Sequence, residues 1–199
     1  MNIDNGAVIQ PSTISEGSAD QVPLRLTYSK ELKKGKFIHY LLEWLPQVGK
    51  GYRELQGKKY LAEPRHYLDE GEQEEYLRSA LKVLNEMSFE DIFNKEAIVE
   101  VPISGNIVED GITYKVSGRI DRLLINKHEI TIVDLKTNKV VPKKISQVPT
   151  GYKNQLAIYY KLVKQIYPGH EIKCMLLWVE KPIVMLFSSR EMDSIKIFN

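Results

Sequence analysis

Two carboxylates and one ammonium group stand in otherwise apolar sequence near the middle of the chain. Asp121 lies in the run Ile120–Ile125, and Asp134 and Lys136 lie at the end of the run Ile130–Lys136. Charged groups within apolar strands cost free energy unless each has a partner. Two neighbouring carboxylates repel each other, and a divalent cation bound between them removes that cost. The pattern therefore indicates a metal-binding site.

The two apolar runs are expected to form the strands of a hairpin. The second run is rich in β-branched residues and is bounded by polar ones, which predicts a strand. A polar turn, Asn126–Glu129, joins the two runs by a loop longer than the tight two-residue kind. Because side chains alternate along a strand, Asp134 and Lys136 share one face, and Asp121 meets them from the partner strand if the register allows it.

The same residues have a simpler interpretation as surface ion pairs. Asp134 would pair with Lys136, and Asp121 with Arg122, on a solvated face of the sheet. Exposed ion pairs of this kind are common and contribute little to stability. The pattern of charges alone leaves both interpretations open.

Composition places the chain among ordinary globular proteins. It has 199 residues, of which 43% are hydrophobic and 27% charged, and its net charge of +2 is too small to indicate nucleic-acid binding by itself. The single cysteine, Cys174, excludes an internal disulfide framework and a four-cysteine zinc or iron–sulfur site, and a buried thiol is expected. Because the sequence shows neither a membrane span nor a signal peptide, a cytoplasmic protein is expected.

The distribution of residues predicts one α/β domain. Residues 1–24 are rich in small and polar residues, so a flexible N-terminal segment or linker is expected there, followed by a domain over residues 25–199. A basic, glycine-punctuated loop is expected over Gln47–Gly57. Apolar periodicity predicts the helices Lys30–Leu45, Asp69–Met87 and Tyr152–Tyr167. Further strands are predicted at Glu96–Ile103, Tyr114–Ile125, Ile172–Val179 and Ile183–Phe187.

Four further polar residues have two possible interpretations each. His39 lies beside the apolar stripe of the first helix, either as a hydrogen-bonded core residue or as a metal ligand, and Gly35 one turn earlier would leave room over its imidazole. Gln155 and Tyr159 are four residues apart and share a helix face, as a surface pair or as part of a site. Glu100 lies between two valines and is either solvated or an outer acid of the site.

Several well-known catalytic patterns are missing from the sequence. It contains no GxxxxGK[ST] phosphate-binding loop, so nucleotide hydrolysis and a bound nucleotide are not expected. It also contains no GxSxG nucleophile elbow and no HExxH zinc motif. These absences leave the acids and the lysine of the hairpin as the main candidates for chemistry.

Four motifs occur in a specific order along the chain. They are Gly35-x-x-x-His39, Gly118-Arg119-Ile120-Asp121-Arg122, Asp134-Leu135-Lys136-Thr137-Asn138 and Gln155-x-x-x-Tyr159. This order resembles the PD-(D/E)XK nucleases, and within them the RecB-like branch and the nuclease domains of AddA-type helicase–nucleases. Any one motif alone is weak, whereas the four together are specific, and the resemblance runs from about residue 10 to about residue 188.

The resemblance implies a fold and a set of site residues. The fold would be a restriction-endonuclease-like core, with a central mixed β-sheet flanked by helices. The implied catalytic residues are Asp121, Asp134, Lys136, Gln155 and Tyr159. The implied metal ligands are the side chains of His39, Asp121 and Asp134 and the main-chain carbonyl of Leu135. Gln155 and Tyr159 would help to position DNA and the lysine.

The resemblance also implies an activity and its partners. It implies a Mg²⁺- or Mn²⁺-dependent DNA exonuclease of double-strand-break repair and recombination, without an iron–sulfur cluster. DNA ends or single strands would be the substrate. Because the chain has no helicase motor, a helicase or AddB-like partner is expected. The alternatives are a catalytically silent nuclease-fold module that binds DNA or docks to a helicase, and an RNA-directed or structural protein with coincidental motifs.

Overall fold

The computed structural model of the chain describes residues 8–11, 25–94 and 96–198, with side chains from residue 30 onward in the first helix. Most of the predicted N-terminal segment, residues 1–7 and 12–24, lies outside the described residues. The division into a segment 1–24 and a domain 25–199 therefore stays a prediction.

The described part of the chain contains α-helices and β-strands in mixed order. Its helices are α1 (Arg25–Trp44), α2 (Arg53–Leu61), α3 (Glu70–Leu84), α4 (Thr150–Ile166) and α5 (Ser189–Ser194). Its strands are β1 (Ile98–Glu109), β2 (Ile112–Ile125), β3 (Glu129–Lys136), β4 (Glu171–Trp178) and β5 (Ile183–Phe187). Every predicted helix and strand is present; β5 has the predicted bounds, and each of the others begins or ends at a different residue.

The strands form one sheet in the order β1-β2-β3-β4-β5. Among the neighbouring pairs of these five strands, β3 and β4 are the parallel pair, and α4 makes the crossover connection that parallel neighbours require. The predicted hairpin is confirmed, because β2 and β3 pair antiparallel from Arg122 opposite Val133 to Ile125 opposite Ile130. The predicted α/β class, with a central mixed sheet flanked by helices, is likewise confirmed.

Helices cover both faces of this sheet, and each face has its own core. The core on one face includes residues of α4 and α5, and the other includes residues of α1, α2 and α3. Strand β3 supplies Ile130 and Ile132 to the first core and Val133 and Leu135 to the second. A strand buried on both faces needs apolar residues at consecutive positions, which explains the continuous apolar run of β3.

The first two strands form a hairpin that is longer than the sequence predicted. Their ladder continues to Glu109 opposite Ile112, and the two residues between, Asp110 and Gly111, have φ angles of 50° and 79°. Positive φ at both central residues is the geometry of the favoured two-residue hairpin turn, which Asp-Gly adopts readily. The Asp-Gly pair was therefore the sequence signal for this extension.

The predicted loop over Gln47–Gly57 is wrong. A short 3-10 helix spans Lys50–Tyr52, and α2 begins at Arg53. Gly57 lies where α2 packs on α3, and a Cβ added there would clash with a methyl carbon of Leu77. The glycine thus permits close packing of two helices and does not mark a turn.

A short N-terminal piece adds to the edge of β2. The Ile9 amide donates to the Lys115 carbonyl at 2.9 Å, and the Ser117 amide donates to the Ile9 carbonyl at 3.0 Å. Pro11 is buried two residues later. These contacts place Pro11 against the strand that carries Gly118 and Asp121.

Two expectations about the chain's environment can be compared with the structure. Cys174 is fully buried in β4, as predicted, and burial raises the pKa of its thiol above the ordinary range. None of the described helices has the length and apolar character needed to cross a membrane.

Candidate active site

Strands β2 and β3 separate at the point where their acidic residues stand. The main-chain ladder ends with the pair Arg122 and Val133, and Asp121 and Asp134 are not paired. Instead, the Leu135 amide donates a hydrogen bond of 2.6 Å to Oδ2 of Asp121. A side-chain carboxylate thus replaces a main-chain acceptor, and a fork opens between the two strands. We call this opening the β2–β3 fork.

The backbone is also irregular around Asp121 in β2 and at the neighbouring position of β1. Ile120 and Leu123 contribute to the same core although they are three residues apart, so the usual alternation of faces shifts across Asp121. The register places Glu100 opposite Asp121, and Glu100 has a φ of 52°. A non-glycine residue in this left-handed region costs about 1–2 kcal/mol. Such strain often marks a functional site.

Three side chains from three elements meet at the fork. His39 comes from α1, Glu100 from β1 and Asp121 from β2, and one ligand atom of each lies within 4.8 Å of the others. Nδ1 of His39 lies 3.5 Å from Oδ1 of Asp121. The structure therefore brings His39 and Asp121 together as predicted. Glu100, which the sequence left as either a solvated residue or an outer acid of the site, lies close to both His39 and Asp121.

A second group of residues continues from Asp134 towards α4. Nζ of Lys136 lies 2.8 Å from Oδ2 of Asp134 and donates to Oε1 of Gln155 at 2.7 Å. Nε2 of Gln155 then donates to the Tyr159 hydroxyl at 3.3 Å. The Lys136 ammonium also lies 4.2 Å from the centre of the Tyr152 ring. The lysine is therefore held by a carboxylate, an amide and an aromatic face.

Burial shows that this group is not a solvated ion pair. Asp134 is 3% exposed, Gln155 is 7% exposed and Tyr159 is 2% exposed. The pair of Asp134 and Lys136 is present, but the interpretation that placed it on a solvated face is wrong. A buried charged pair needs further partners to offset its lost hydration, and Gln155 and Tyr152 supply them here.

The two carboxylates of the site differ in protonation behaviour. Burial raises the pKa of Asp134 above its ordinary value, although the Lys136 ammonium opposes this. Burial also disfavours the ionised form of Asp121, but the His39 imidazole and the Leu135 amide outweigh it and lower the pKa of Asp121. The converse holds for His39, because the Asp121 carboxylate outweighs the effect of burial and raises the pKa of the imidazole.

The donor atoms at the fork fit a divalent cation. Carboxylate oxygens with one imidazole nitrogen suit Mg²⁺ or Mn²⁺, and the nitrogen favours Mn²⁺. Among the residues that the structure describes, none donates a well-directed hydrogen bond to Oδ2 of Asp134, although the Lys136 ammonium is close. The structure fixes Leu135 through its amide, and the predicted role of its carbonyl as a metal ligand stays a prediction.

Two glycines of the motifs are explained by close contacts. A Cβ added at Gly118 would stand 2.9 Å from the Tyr159 ring and 3.0 Å from Pro11, so this position must lack a side chain for the ring to approach β2. A Cβ added at Gly35 would stand 3.1 Å from Oγ1 of Thr137. The expectation that Gly35 leaves room over the His39 imidazole is therefore wrong, because its open side faces the end of β3.

Sequence reasoning missed the role of Arg122. Its side chain is 1% exposed, donates to the main-chain carbonyls of Leu42 and Ile92, and lies 4.4 Å from the centre of the Phe93 ring. Burial lowers the pKa of this guanidinium to about 10. The proposed surface pair with Asp121 is wrong, because Arg122 ties β2 to the helix that carries His39.

Comparisons with known proteins identify the family of the chain. The family model of the PD-(D/E)XK nuclease superfamily matches residues 20–191, a range that contains all the predicted site residues. No curated protein matches the sequence. Among solved structures, the chain is similar to the protein in the crystal structure of SSO0001, with 19% identity and a TM-score of 0.35, over 80% of this chain and 77% of that one. A similarity this weak carries no argument. On the family match, the chain belongs to the PD-(D/E)XK nuclease superfamily.

Proposed function

We propose that this chain is a metal-dependent DNA exonuclease whose active site is the β2–β3 fork. One observation carries the proposal. At the fork, one ligand atom from each of His39, Glu100 and Asp121 lies within 4.8 Å of the other two. The buried pair of Asp134 and Lys136 lies beside them. Members of the superfamily are usually metal-dependent nucleases, which supports the same conclusion.

The metal of this proposal is Mg²⁺ or Mn²⁺, which nucleases of the superfamily generally use. The side chains of His39, Glu100, Asp121 and Asp134 would hold it, together with the main-chain carbonyl of Leu135. When bound, such a cation neutralises charge on the scissile phosphate and lowers the pKa of a coordinated water molecule.

The role of Lys136 follows from its surroundings. Its ammonium group is held between the Asp134 carboxylate and the Gln155 amide, and both are fixed by burial. A positive charge fixed in this way can orient the attacking water or stabilise a phosphoryl oxygen in the transition state. Gln155 and Tyr159 then act by holding the lysine in place, and Tyr159 is itself tied to the main chain of Arg119.

The RecB-like branch is supported by two features of the site. His39 reaches the fork from the first helix, and the Gln155–Tyr159 pair reaches Lys136 from the helix after β3. On this basis we assign the chain a role in double-strand-break repair and recombination, with DNA ends or single strands as substrate. A helicase or AddB-like protein would be its partner.

Cleavage of labelled linear DNA in EDTA, Mg²⁺ and Mn²⁺ tests the proposal directly. The parent protein should degrade DNA only with a divalent ion, and Asp134→Ala should reduce the rate at least a hundredfold because it removes a buried ligand. Asp110→Ala is the matched control, since this aspartate lies in an exposed turn, away from the fork, and forms an ion pair with Lys196. Equal cleavage by all three proteins would refute the site.

A closed circular DNA of the same sequence separates end-directed from internal cutting. An exonuclease should leave the circle intact while it digests the linear form. DNA binding without cleavage in any divalent ion would support the catalytically silent module instead.

A further inference from the structure

A cavity of about 760 Å³ lies beside the fork, on the side of α4. Its walls come from Glu31 of α1, the residues after β3, the start of α4 and the end of β4, and they include Lys143, Tyr152 and Trp178. A volume of this size is typical of sites for small molecules. None of the catalytic or metal-binding residues proposed above lines it.

Two wall residues of the cavity, Tyr152 and Trp178, are neighbours of Lys136. The Tyr152 ring, which forms one wall, lies under the Lys136 ammonium, and its hydroxyl donates to Oδ1 of Asn138 at 2.9 Å. Trp178 pairs in register with Lys136 on the neighbouring parallel strand, and its ring centre lies 6.0 Å from that of Tyr152. A ligand in the cavity would therefore be next to the lysine.

The indole N–H of Trp178 has no hydrogen-bond acceptor among the described residues. Its side chain is 1% exposed, and its indole N–H is buried without an acceptor in the part of the chain that the structure describes. Buried polar groups in native proteins nearly always have a partner, so an unpartnered donor beside a cavity indicates a ligand with an acceptor atom.

The remaining walls define the rest of that ligand. Valine and proline side chains and the two aromatic rings make the cavity largely apolar, which suits a flat ring. Lys143 adds positive charge at its edge, and among the described residues no acidic side chain forms an ion pair with it. Lys139 is instead paired with Glu31, an acidic residue of the same wall, at 3.1 Å. A flat ring with acceptor atoms, joined to an anionic group, is the chemistry of a nucleotide.

We propose that this cavity is a subsite for one nucleotide of single-stranded DNA, next to the phosphate held at the fork. The base lies against Tyr152 and accepts from the Trp178 indole, and the neighbouring phosphate faces Lys143. This inference rests on the proposed nuclease function and adds to it a place where the strand is gripped. Aromatic stacking tolerates any base, so the subsite would bind DNA without strong sequence preference.

The two tryptophans of the chain provide a matched pair of variants. Trp44 also has a buried indole N–H without an acceptor among the described residues, but it lies in α1 and outside the cavity. Trp178→Phe and Trp44→Phe therefore remove the same chemical group at two places. Each variant also leaves the other tryptophan as the only fluorophore of its kind.

The experiment is a titration with hexathymidylate in EDTA, which prevents hydrolysis. In Trp44→Phe protein, the emission of Trp178 should change to saturation as the oligonucleotide binds. By fluorescence anisotropy of labelled hexathymidylate, Trp178→Phe should weaken binding about fivefold, as expected for one hydrogen bond, while Trp44→Phe binds like the parent. Unchanged Trp178 emission, or equal affinities of the two variants, would overturn the proposal.

A surface variant tests the subsite without changing a buried residue, so its result does not depend on whether Trp178→Phe folds correctly. Lys143→Glu changes an exposed residue, and it should weaken binding severalfold at low salt and less at high salt, because screening reduces the phosphate contact. Affinity equal to that of the parent at low salt would also contradict the subsite.

Separate assays distinguish failure of the subsite from failure of the proposed function. If the parent cleaves DNA with Mn²⁺ but both cavity variants bind hexathymidylate normally, the subsite is wrong and the nuclease stands. If the cavity variants lose binding but the parent cleaves nothing, the subsite stands and the nuclease is wrong.

Discussion

The Leu135 amide and the Asp121 carboxylate form a hydrogen bond of 2.6 Å in the place where a main-chain pair would continue the hairpin. The bond satisfies an amide that the separation of β2 and β3 would leave unpaired. It also fixes Oδ2 of Asp121, so that Oδ1 is directed to His39 at 3.5 Å. One carboxylate thus both opens the fork and orients its histidine.

Asp121→Asn should lower the pKa of His39 without unfolding the protein. Burial lowers the pKa of His39, whereas the Asp121 charge raises it by more. When the carboxylate becomes an amide, this charge is lost and the effect of burial remains. The asparagine keeps an oxygen that can accept from the Leu135 amide. NMR titration of the metal-free protein measures the change, with the exposed His128 as an internal reference signal. An unchanged His39 titration would contradict the ion pair.

Gly118→Ala should destabilise the protein and slow DNA cleavage. The added methyl group would stand 2.9 Å from the Tyr159 ring and 3.0 Å from Pro11, so the ring must move away from Gln155. Overpacking of this kind costs about 1–3 kcal/mol of unfolding free energy, which urea denaturation measures. Gly169→Ala is the control, because no atom lies within 4 Å of its added carbon. Equal stability of the two variants would refute the close contact.

Glu100→Gly should stabilise the fold while it weakens metal binding. Glycine adopts the φ of 52° without strain, so the free energy of unfolding should rise by about 1 kcal/mol. The loss of the carboxylate beside His39 and Asp121 should reduce Mn²⁺ affinity, measured by calorimetric titration.

Asp110→Gly is the matched control for that strain, because Asp110 has a φ of 50° in the β1–β2 turn. The free energy of unfolding of Asp110→Gly should rise by a similar amount, and this variant should bind Mn²⁺ like the parent. Unchanged Mn²⁺ affinity in Glu100→Gly would remove Glu100 from the site.

Glu109 should make the stability of the chain depend on pH. Its carboxylate accepts from the amides of Ile197 and Phe198 and from the Lys161 ammonium. Although burial opposes ionisation, these donors lower the pKa of Glu109 below its ordinary value. Its stabilisation is therefore complete above the ordinary carboxyl pKa and is lost as the pH falls through the lower folded value.

Glu109→Gln tests this dependence. At pH 7 the variant should lose about 1–3 kcal/mol of unfolding free energy, and the difference from the parent should shrink in acid. Glu54→Gln, in an exposed helical pair with Lys58, should match the parent at both pH values. A difference for Glu109→Gln that stays constant with pH would contradict the assignment.

Local patterns were enough to predict the hairpin and its charged face. The apolar, β-branched run of β3 predicted a strand, and strand alternation placed Asp134 and Lys136 on one face. In the structure, Oδ2 of Asp134 and Nζ of Lys136 lie 2.8 Å apart. Helical spacing likewise placed Gln155 and Tyr159 together. These relationships depend only on residues close in sequence.

Relationships between distant elements could not be predicted in this way. The strained backbone of Glu100 depends on its register with β2, and the separation of β2 from β3 depends on the hydrogen bond between the Asp121 carboxylate and the Leu135 amide. The glycine at position 57 suggested a loop because its partner, Leu77, belongs to another helix. Sequence periodicity describes one element at a time and contains no information about such contacts.

The burial of Cys174 makes the chain a convenient subject for site-specific labelling. It is the only cysteine of the chain, it is fully buried, and its thiol pKa is raised, so reagents that attack thiolates should leave it unmodified in the folded protein. A cysteine introduced on the surface, for example by Lys143→Cys, would then carry a dye as the single reactive position. Single-molecule fluorescence could follow the arrival of a DNA strand without removal of the native cysteine.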